Sequence, residues 1–342
     1  MAKQVSKTRL KLALVGGETL LGKDIEEVIK QRTPGTNLAS FAASGEGNFG
    51  EEDGEPIFLE PLEARTLQDV RAVLVAGTPE GARKAYELAK AAGGRPIVID
   101  CSGFLESYPE ARVVAPLASE FHAGQSWLLS VAHPAASALA LILKKLARYG
   151  QLQRVVAHVF EPASERGKRG ISELHRQTTN LLGFKPLDKD VFDAQLSFNL
   201  LAQFGEEASA QLTAVEDRIE RHLASILSSD PGTGTAPLPS LRVVGAPVFH
   251  GYSVSMWVEF ETIPTAQGLR EALASAQIEV RGQKEEPPNN VGVVSQSELV
   301  AGDIRLDRNN SRAVWFWIAF DNLRLTADAA VDVAGKLAAE PS

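Results

Sequence analysis

Length, composition and charge narrow the class of protein. The chain has 342 residues, of which 44% are hydrophobic and 23% charged, and this length suits two domains better than one core. Its formal net charge of -8 argues against a general nucleic-acid-binding protein, because an acidic surface repels phosphates. The single cysteine, Cys101, excludes an internal disulfide and a cysteine-based zinc site, and it fits a reducing compartment.

No segment of the sequence has the pattern of a membrane span or an export signal. No apolar run approaches the roughly 18 residues that a membrane helix needs. The chain begins with a short basic segment and passes directly into a strand-like run, without a cleavable apolar region. We therefore expect a cytoplasmic protein without a membrane partner.

The N-terminal third predicts a parallel sheet with helices between its strands. A buried strand at 10–17 is followed by a helix at 20–31, which has the helical spacing of apolar residues. The later predicted elements are strands at 37–43, 71–77 and 95–103 and a helix at 79–92, with an acidic, glycine-rich loop after the second strand. This alternation is typical of a doubly wound, Rossmann-like α/β fold.

The turn after the first strand contains glycines typical of a dinucleotide-binding loop. Gly16, Gly17 and Gly22 are present in GGETLLG, but Thr19 occupies the position of the phosphate-facing glycine. The N–H groups of the following helix could still bind a phosphate. Two interpretations stay open, because the same glycines could merely turn a strand into a helix.

The pattern changes after about residue 145. Strand-like apolar runs occur at 154–160, 241–249, 253–260 and 312–320. A helix is predicted within 205–229, before a Gly- and Pro-rich loop at 229–240. The apolar residues on one side of that helix are Leu212, Val215, Ile219, Leu223 and Ile226. These elements predict an α+β domain on a single sheet.

Three tryptophans are spaced by two within the predicted strands. We expect Trp257, Trp315 and Trp317 to alternate with polar residues and to bury one face of the sheet, in the core or at a subunit interface. The acidic pair at 51–52 and the charged run at 284–286 are interpreted as solvated loops.

Seven segments together resemble one family, the aspartate-semialdehyde dehydrogenases. They are VIDCSGF (98–104), AHPAASALALILKKL (132–146), RGKRGISELHRQT (166–178), SFNLLAQF (197–204), APVFHGYSVSMWVEF (246–260), VAGDIRLD (300–307) and FDNLRLTADAAVDVA (320–334). Their shared order and spacing carry the resemblance. It implies a Rossmann-like dinucleotide-binding domain at 1–140, onto which a C-terminal helix at 321–342 packs, and an α+β dimerisation domain at 141–320.

The resemblance also implies a reaction for which this chain lacks the nucleophile. Enzymes of the family reduce an acyl phosphate to an aldehyde with a nicotinamide cofactor, through a cysteine thioester. In AHPAAS the family's Asn-Pro is His133-Pro134, its next Asn is Ala135, and its catalytic Cys is Ala136. A methyl group cannot form a thioester.

The other positions of the family's site are changed as well. The segment that reads Ser-Gly-Ala-Gly in the family is 164–167 here, Ser-Glu-Arg-Gly. The family's Gln, its base His, its substrate-carboxylate Arg and its phosphate Arg correspond to Glu161, Tyr252, Gly245 and Leu105. His250 lies two positions before Tyr252, and on a strand this parity would place it on the same face as a substitute base.

The resemblance also implies a set of residues that would contact a cofactor. They are Gly16, Gly17, Thr19, Leu20, Leu21, Gly77, Ser102 and Asn322. Ala42 stands where NADP-using relatives place an Arg, and no Arg or Lys occurs between Arg32 and Arg65. This argues against NADP and leaves NAD or an adenine nucleotide to be tested. No metal is expected.

Three functional hypotheses follow. The first is a homodimeric homologue without dehydrogenase activity that acts as a nucleotide-binding, partner or regulatory protein, similar to the Cys-less relatives called Usg-1-like proteins. The second is an NAD(P)-dependent semialdehyde oxidoreductase of amino-acid biosynthesis with a rebuilt site. The third is an enzyme of another class, whose candidate residues are Ser130, His133, Ser137, Glu161, His250 and Tyr252.

Overall fold

The chain divides into two units. A computed structural model describes residues 10–44, 46–52, 55–121, 124, 126–229 and 236–339. Unit 1 contains Met1–Pro116, Glu120–Val131 and Thr326–Ser342, and unit 2 contains Leu117–Ser119 and Ala132–Leu325. One boundary between the units falls between 131 and 132, and the position 140 implied by the resemblance lies within a helix of unit 2, Pro134–Tyr149.

Unit 1 is built on a six-stranded parallel sheet with the strand order β2-β1-β5-β6-β8-β7. Its strands are β1 (Lys11–Val15), β2 (Asn37–Phe41), β3 (Asn48–Glu52), β4 (Glu55–Leu59), β5 (Ala72–Val75), β6 (Ile97–Asp100), β7 (Ala111–Val114) and β8 (Leu128–Val131), and its first helices are α1 (Leu20–Arg32) and α2 (Pro79–Ala91). The predicted doubly wound fold is confirmed.

The central strands of this sheet are apolar on both faces. Leu12 and Leu14 of β1 belong to one buried cluster, with Ile25 of α1, and Ala13 and Val15 belong to another, with residues of α2. Burial on both sides explains why the sequence reads as a continuous apolar run instead of alternating. The sheet leaves its strand ends, not its faces, for ligand contacts.

The acidic, glycine-rich loop predicted after β2 was wrong in part. Strands β3 and β4 form an antiparallel hairpin, so Glu51 and Glu52 lie within a strand. Phe49 and Phe58 face each other across it in an edge-to-face contact, with ring centroids 5.4 Å apart. Cross-strand pairs of this kind stabilise a hairpin, and the acidic composition concealed them.

Unit 2 is built on a mixed six-stranded sheet with the order β10-β9-β11-β14-β13-β12. Its strands are β9 (Leu152–Glu161), β10 (Ser240–Gly245), β11 (Tyr252–Phe260), β12 (Ile278–Val280), β13 (Leu299–Leu306) and β14 (Ala313–Phe320), and the helices are α3 (Pro134–Tyr149), α4 (Gly167–Leu182), α5 (Leu212–Ser228), α6 (Ala266–Leu273) and α7 (Asn322–Ala339), of which α7 continues into unit 1. The α+β prediction is confirmed.

The predicted helix within 205–229 is α5, and the five apolar residues expected on one side of it are all buried. The loop predicted after it lies partly outside the described residues, which resume at 236. The charged run at 284–286 belongs to neither a helix nor a strand, as predicted.

The tryptophans lie on the less buried face of the unit 2 sheet, which corrects the expectation. Their strand neighbours are buried apolar residues such as Val314 and Phe316, not polar ones. Trp257 and Trp315 are cross-strand partners, and both indole N–H groups donate to Asp307, over 2.9 and 2.8 Å. Trp315 remains 38% exposed, so this face is no part of the unit's core.

The packing of the first turn against α1 gives a test of the fold. A Cβ at Gly22 would lie 2.0 Å from the carbonyl oxygen of Gly16, whereas one at Gly35 would meet nothing within 4 Å. We expect Gly22→Ala to lower the free energy of unfolding by about 2–4 kcal/mol and the matched Gly35→Ala to change it by less than about 0.5 kcal/mol. Chemical denaturation followed by circular dichroism measures both, and equal effects would contradict the packing.

Candidate functional site

The glycine-rich turn of unit 1 has the close packing of a dinucleotide-binding loop. Gly16 has φ 97°, and a Cβ there would lie 2.8 Å from the Cα of Gly77. A Cβ at Gly77 would in turn lie 2.5 Å from the carbonyl oxygen of Ala43. The backbones at the ends of three neighbouring strands therefore meet without side chains between them, which leaves backbone N–H groups for a ligand.

Thr19 has a structural role in this turn. Its hydroxyl accepts a hydrogen bond from the Gly22 N–H (2.9 Å) and donates to the Gly16 carbonyl (2.8 Å). It is thus the N-cap of α1, directly before Leu20 and Leu21. One of the helix N–H groups that would be open to a phosphate is already bonded.

Ser102 and Asn322, the other side chains expected at the cofactor, are engaged in local hydrogen bonds. The Ser102 hydroxyl donates to Asp100 (2.6 Å). Asn322 lies in unit 2, where its carbonyl oxygen accepts from Ser164 (3.1 Å) and its amide donates to Glu165 (3.2 Å). Their roles toward a cofactor stay predictions.

The position expected for the nucleophile lies in the first turn of α3 and is closed. Ala136 is fully buried. His133 is the N-cap of this helix, and its Nδ1 accepts a hydrogen bond from the Ala135 N–H (3.2 Å). The His133 N–H donates to Nδ1 of His222 on α5 (2.9 Å). The first turn is therefore fixed by two histidines, beside an alanine that offers no reactive atom.

A cluster of charged side chains surrounds this helix start within unit 2. Nη2 of Arg166 lies 2.8 Å from Oε1 of Glu161, with side chains 10% and 1% exposed. Nε2 of His133 lies 3.3 Å from Oε1 of Glu165. The Tyr252 ring is edge-on to the His133 ring, with centroids 5.8 Å apart. We call these five residues the α3 cluster.

Burial sets the protonation of the cluster. It raises the pKa of Glu161 to about 7, although Arg166 opposes the shift. Burial acts in the same direction on Glu165, but contacts with His133 and Arg166 outweigh it and lower the pKa to about 2. Burial also lowers the pKa of His133 and raises that of Tyr252. Near neutral pH the cluster therefore holds one fixed carboxylate and one that exchanges its proton.

The two anion anchors expected from the resemblance are replaced by apolar packing. Leu105 is 1% exposed and belongs to a hydrophobic cluster of unit 1. At Gly245, a Cβ would lie 2.6 Å from the ring of Phe204. The guanidinium of Arg166 lies over the same ring, 5.7 Å from its centroid. Phe204 thus fills the space beside Gly245, and the cation held near it is paired with a carboxylate.

His250 does not lie on the same strand face as Tyr252, which corrects the expectation based on their spacing of two. Strand β11 begins at Tyr252, and Gly251 before it has φ 78°, so the alternation does not extend back to His250. His250 lines a surface cavity of about 640 Å³ instead, together with His175, Arg176 and three other residues of unit 2. Tyr252 and Glu161 therefore belong to the α3 cluster, whereas His250 lies at the surface cavity.

Cys101 cannot replace the missing thiol. It is buried in unit 1, and its Sγ lies 3.6 Å from the carbonyl oxygen of Ile99. Burial and the neighbouring Asp100 raise the pKa of the thiol. A thiol that stays protonated is a poor nucleophile.

Sequence reasoning assigned no role to Glu165 and Arg166, which it named only as changed positions, and it did not name His222. The signal for the first two was present, because a Glu-Arg pair replaces small residues of the family segment at 164–167. His222 is buried beside the apolar stripe of α5, where a histidine needs a partner. That the three would meet at the start of α3 could not be read from local pattern.

Within the described parts of the chain, no group of three or more His, Cys, Asp or Glu side chains is arranged to hold a metal ion. In the same residues, no helix combines the length and the apolar character required to cross a membrane.

The fold and the first turn define a class of protein. Its members have a doubly wound unit of the dinucleotide-binding type, followed by an α+β unit. The family is narrower. Residues 143–325 match the family described as "Semialdehyde dehydrogenase, dimerisation domain", and this match spans more than half of the 342 residues. The chain belongs to that family.

Individual relatives agree with this assignment. A USG-1 protein homolog from Azotobacter vinelandii is 29% identical over 325 residues, which cover 92% of this chain and 93% of that one. The structure of a probable aspartate-semialdehyde dehydrogenase from Pseudomonas aeruginosa has a TM-score of 0.79 and 26% identity, covering 97% and 99%. The predicted relationship to both groups is confirmed.

A third neighbour shares the fold alone. It is an aspartate-semialdehyde dehydrogenase with NADP from Candida albicans, with a TM-score of 0.64 and 14% identity over 96% of this chain and 98% of that one.

The raised pKa of Glu161 predicts a pH-dependent stability. Its folded value of about 7 exceeds the ordinary 4.5, so the folded state holds an extra proton between these values and loses stability as the pH rises. Glu161→Gln mimics the protonated form. Because Gln cannot ionise, we expect the difference in free energy of unfolding, variant minus wild type, to become more positive by about 2–3 kcal/mol between pH 4 and pH 8.

Thermal and urea unfolding between pH 4 and 8 measure this difference. The matched control is Glu220→Gln, which neutralises an exposed carboxylate of α5 and should follow the wild type at each pH. A difference between Glu161→Gln and the wild type that does not vary with pH would contradict the assigned protonation.

Proposed function

We propose that this chain is a homologue of aspartate-semialdehyde dehydrogenase that lacks thiol-dependent dehydrogenase activity. It acts instead as a nucleotide-binding, partner or regulatory protein in the cytoplasm. One observation carries the proposal: Ala136 is buried in the first turn of α3, where the resemblance places the nucleophile. The single cysteine of the chain is Cys101, which is buried in unit 1.

The charges of the α3 cluster support the same conclusion. An acyl phosphate carries two negative charges that need cationic partners when bound. Arg166 is within 2.8 Å of Glu161, so binding an anion there would break a buried ion pair, and such losses are costly. Neither Gly245 nor Leu105 can supply a second cation.

Nucleotide binding is supported separately, by the close backbone packing at Gly16 and Gly77. The same packing, together with a carboxylic acid of pKa about 7 at Glu161, favours one alternative. That alternative is an NAD(P)-dependent semialdehyde oxidoreductase of amino-acid biosynthesis with a rebuilt acid–base site, because a group that titrates near neutral pH suits proton transfer.

Enzyme assays distinguish the two. We expect no phosphate-dependent reduction of NAD or NADP with aspartate semialdehyde, because no nucleophile can form the thioester. The wild type, Cys101→Ser and Glu161→Gln are assayed together. Turnover that is lost in Cys101→Ser would overturn the proposal in favour of thiol chemistry. Turnover that survives in Cys101→Ser but is lost in Glu161→Gln would establish the rebuilt oxidoreductase.

We also propose that the chain forms a homodimer through the tryptophan-bearing face of the unit 2 sheet. The matched family is defined by a dimerisation domain. The half-exposed Trp315 lies on this face with Trp257 and Trp317, and Trp317 contacts Phe160 with ring centroids 5.8 Å apart. Aromatic residues concentrated on one sheet face are typical of subunit interfaces.

Substitution at Trp315 tests the interface. We expect Trp315→Arg to convert the dimer to a monomer at micromolar concentration, because it places a charge in an apolar contact. Trp315→Phe is the matched control and should remain dimeric. Sedimentation velocity measures both, and a dimer that persists in Trp315→Arg would place the interface elsewhere.

A further inference from the structure

A carboxylate occupies the end of the second strand of unit 1, although no acidic residue of that strand supplies it. Glu18 belongs to the glycine-rich turn. Its Oε1 accepts a hydrogen bond from the Ala43 N–H (2.9 Å), two residues beyond β2. The Asn48 side chain of the β3–β4 hairpin donates to the same oxygen (3.3 Å). Glu18 is thus held between the turn and the end of β2.

The end of the second strand has a known role in nucleotide binding by doubly wound folds. A dinucleotide lies across the strand ends, with its adenosine ribose beside the end of the second strand. A carboxylate there accepts a hydrogen bond from the ribose 2′-hydroxyl, and an arginine there pairs with a 2′-phosphate. Here the chain positions that usually carry these groups are Ala42 and Ala43, and both are buried.

A second carboxylate lies near this strand end. Glu26 of α1 accepts a hydrogen bond from the Ser40 hydroxyl on β2, so a second carboxylate lies one strand residue before Phe41. No Arg or Lys occurs between Arg32 and Arg65. A phosphate placed beside Glu18 would be repelled, and no cation of the strand end or hairpin compensates.

We propose that Glu18 determines the class of nucleotide that unit 1 binds. The carboxylate favours a nucleotide whose adenosine ribose carries a free 2′-hydroxyl, such as NAD, and excludes one that carries a 2′-phosphate, such as NADP. This inference rests on the nucleotide-binding role proposed above. The specificity comes from the first turn, which replaces the usual acid at the end of the second strand.

Glu18 also connects the turn to the hairpin, so its structural role must be separated from its charge. Glu18→Gln keeps an oxygen that accepts from Ala43 and Asn48 but removes the charge. A purely structural contact would survive this change and leave the relative affinity for the two nucleotides unaltered. Glu87→Gln is the matched control, since Glu87 is an exposed carboxylate of α2.

Calorimetric titration of the full-length chain with NAD and NADP tests the proposal. The wild type should bind NAD at least about tenfold more tightly than NADP, as expected for repulsion between close charges. Glu18→Gln should reduce this ratio severalfold, and Glu87→Gln should keep it. ADP and adenosine 2′,5′-bisphosphate repeat the comparison with the adenosine half alone, and their ratio should follow the same order.

The other outcomes are distinct. Equal wild-type affinity for NAD and NADP, or a ratio unchanged in Glu18→Gln, would overturn the role of Glu18 while leaving the nucleotide-binding function intact. No binding of any of the four nucleotides at millimolar concentration would overturn both the inference and the nucleotide-binding part of the proposed function.

Discussion

The pairing of buried charge at the start of α3 is the constraint on which the site depends. Two carboxylates lie in one cluster, Glu161 buried and Glu165 16% exposed, and ions removed from water need partners there. Arg166 serves Glu161, and His133 lies against Glu165. The charges of the cluster thus lie beside opposite charges of the same cluster, while the Tyr252 hydroxyl and Nε of Arg166 are buried without a hydrogen-bond partner among the described residues.

These residues depend on one another through space. Gly245 leaves room for the Phe204 ring, and that ring supports the Arg166 guanidinium that pairs with Glu161. An arginine at 245 would displace Phe204 and add a second cation beside Arg166. Gly245, Phe204 and the Arg166–Glu161 pair therefore form one packing arrangement, and an arginine introduced at 245 alone would not be accommodated by it.

The sequence predicted most of the scaffold, because periodicity reports burial. Apolar runs located β1 and β5, and the spacing in α5 identified its buried stripe. The β3–β4 hairpin escaped because its pairing rests on Phe49 and Phe58 across acidic strands. The expected alternation of the tryptophans with polar residues was wrong, because their strand neighbours are buried apolar residues. A period of two gives a common face without saying which face packs on helices.

A property of the site could be predicted from the sequence only where it depends on the chemistry of a single residue. Ala136 has no atom that could form a thioester whatever surrounds it, so the proposed loss of the nucleophile rests on one residue of the sequence. Glu18 shows the opposite case, because a carboxylate from the first turn acts at the end of β2 only after Ala43 and Asn48 bind it. The position of a residue in the sequence motif does not by itself give the location of its charged group in the structure. In the proposal made here, the location of the carboxylate determines which nucleotide the strand end accepts.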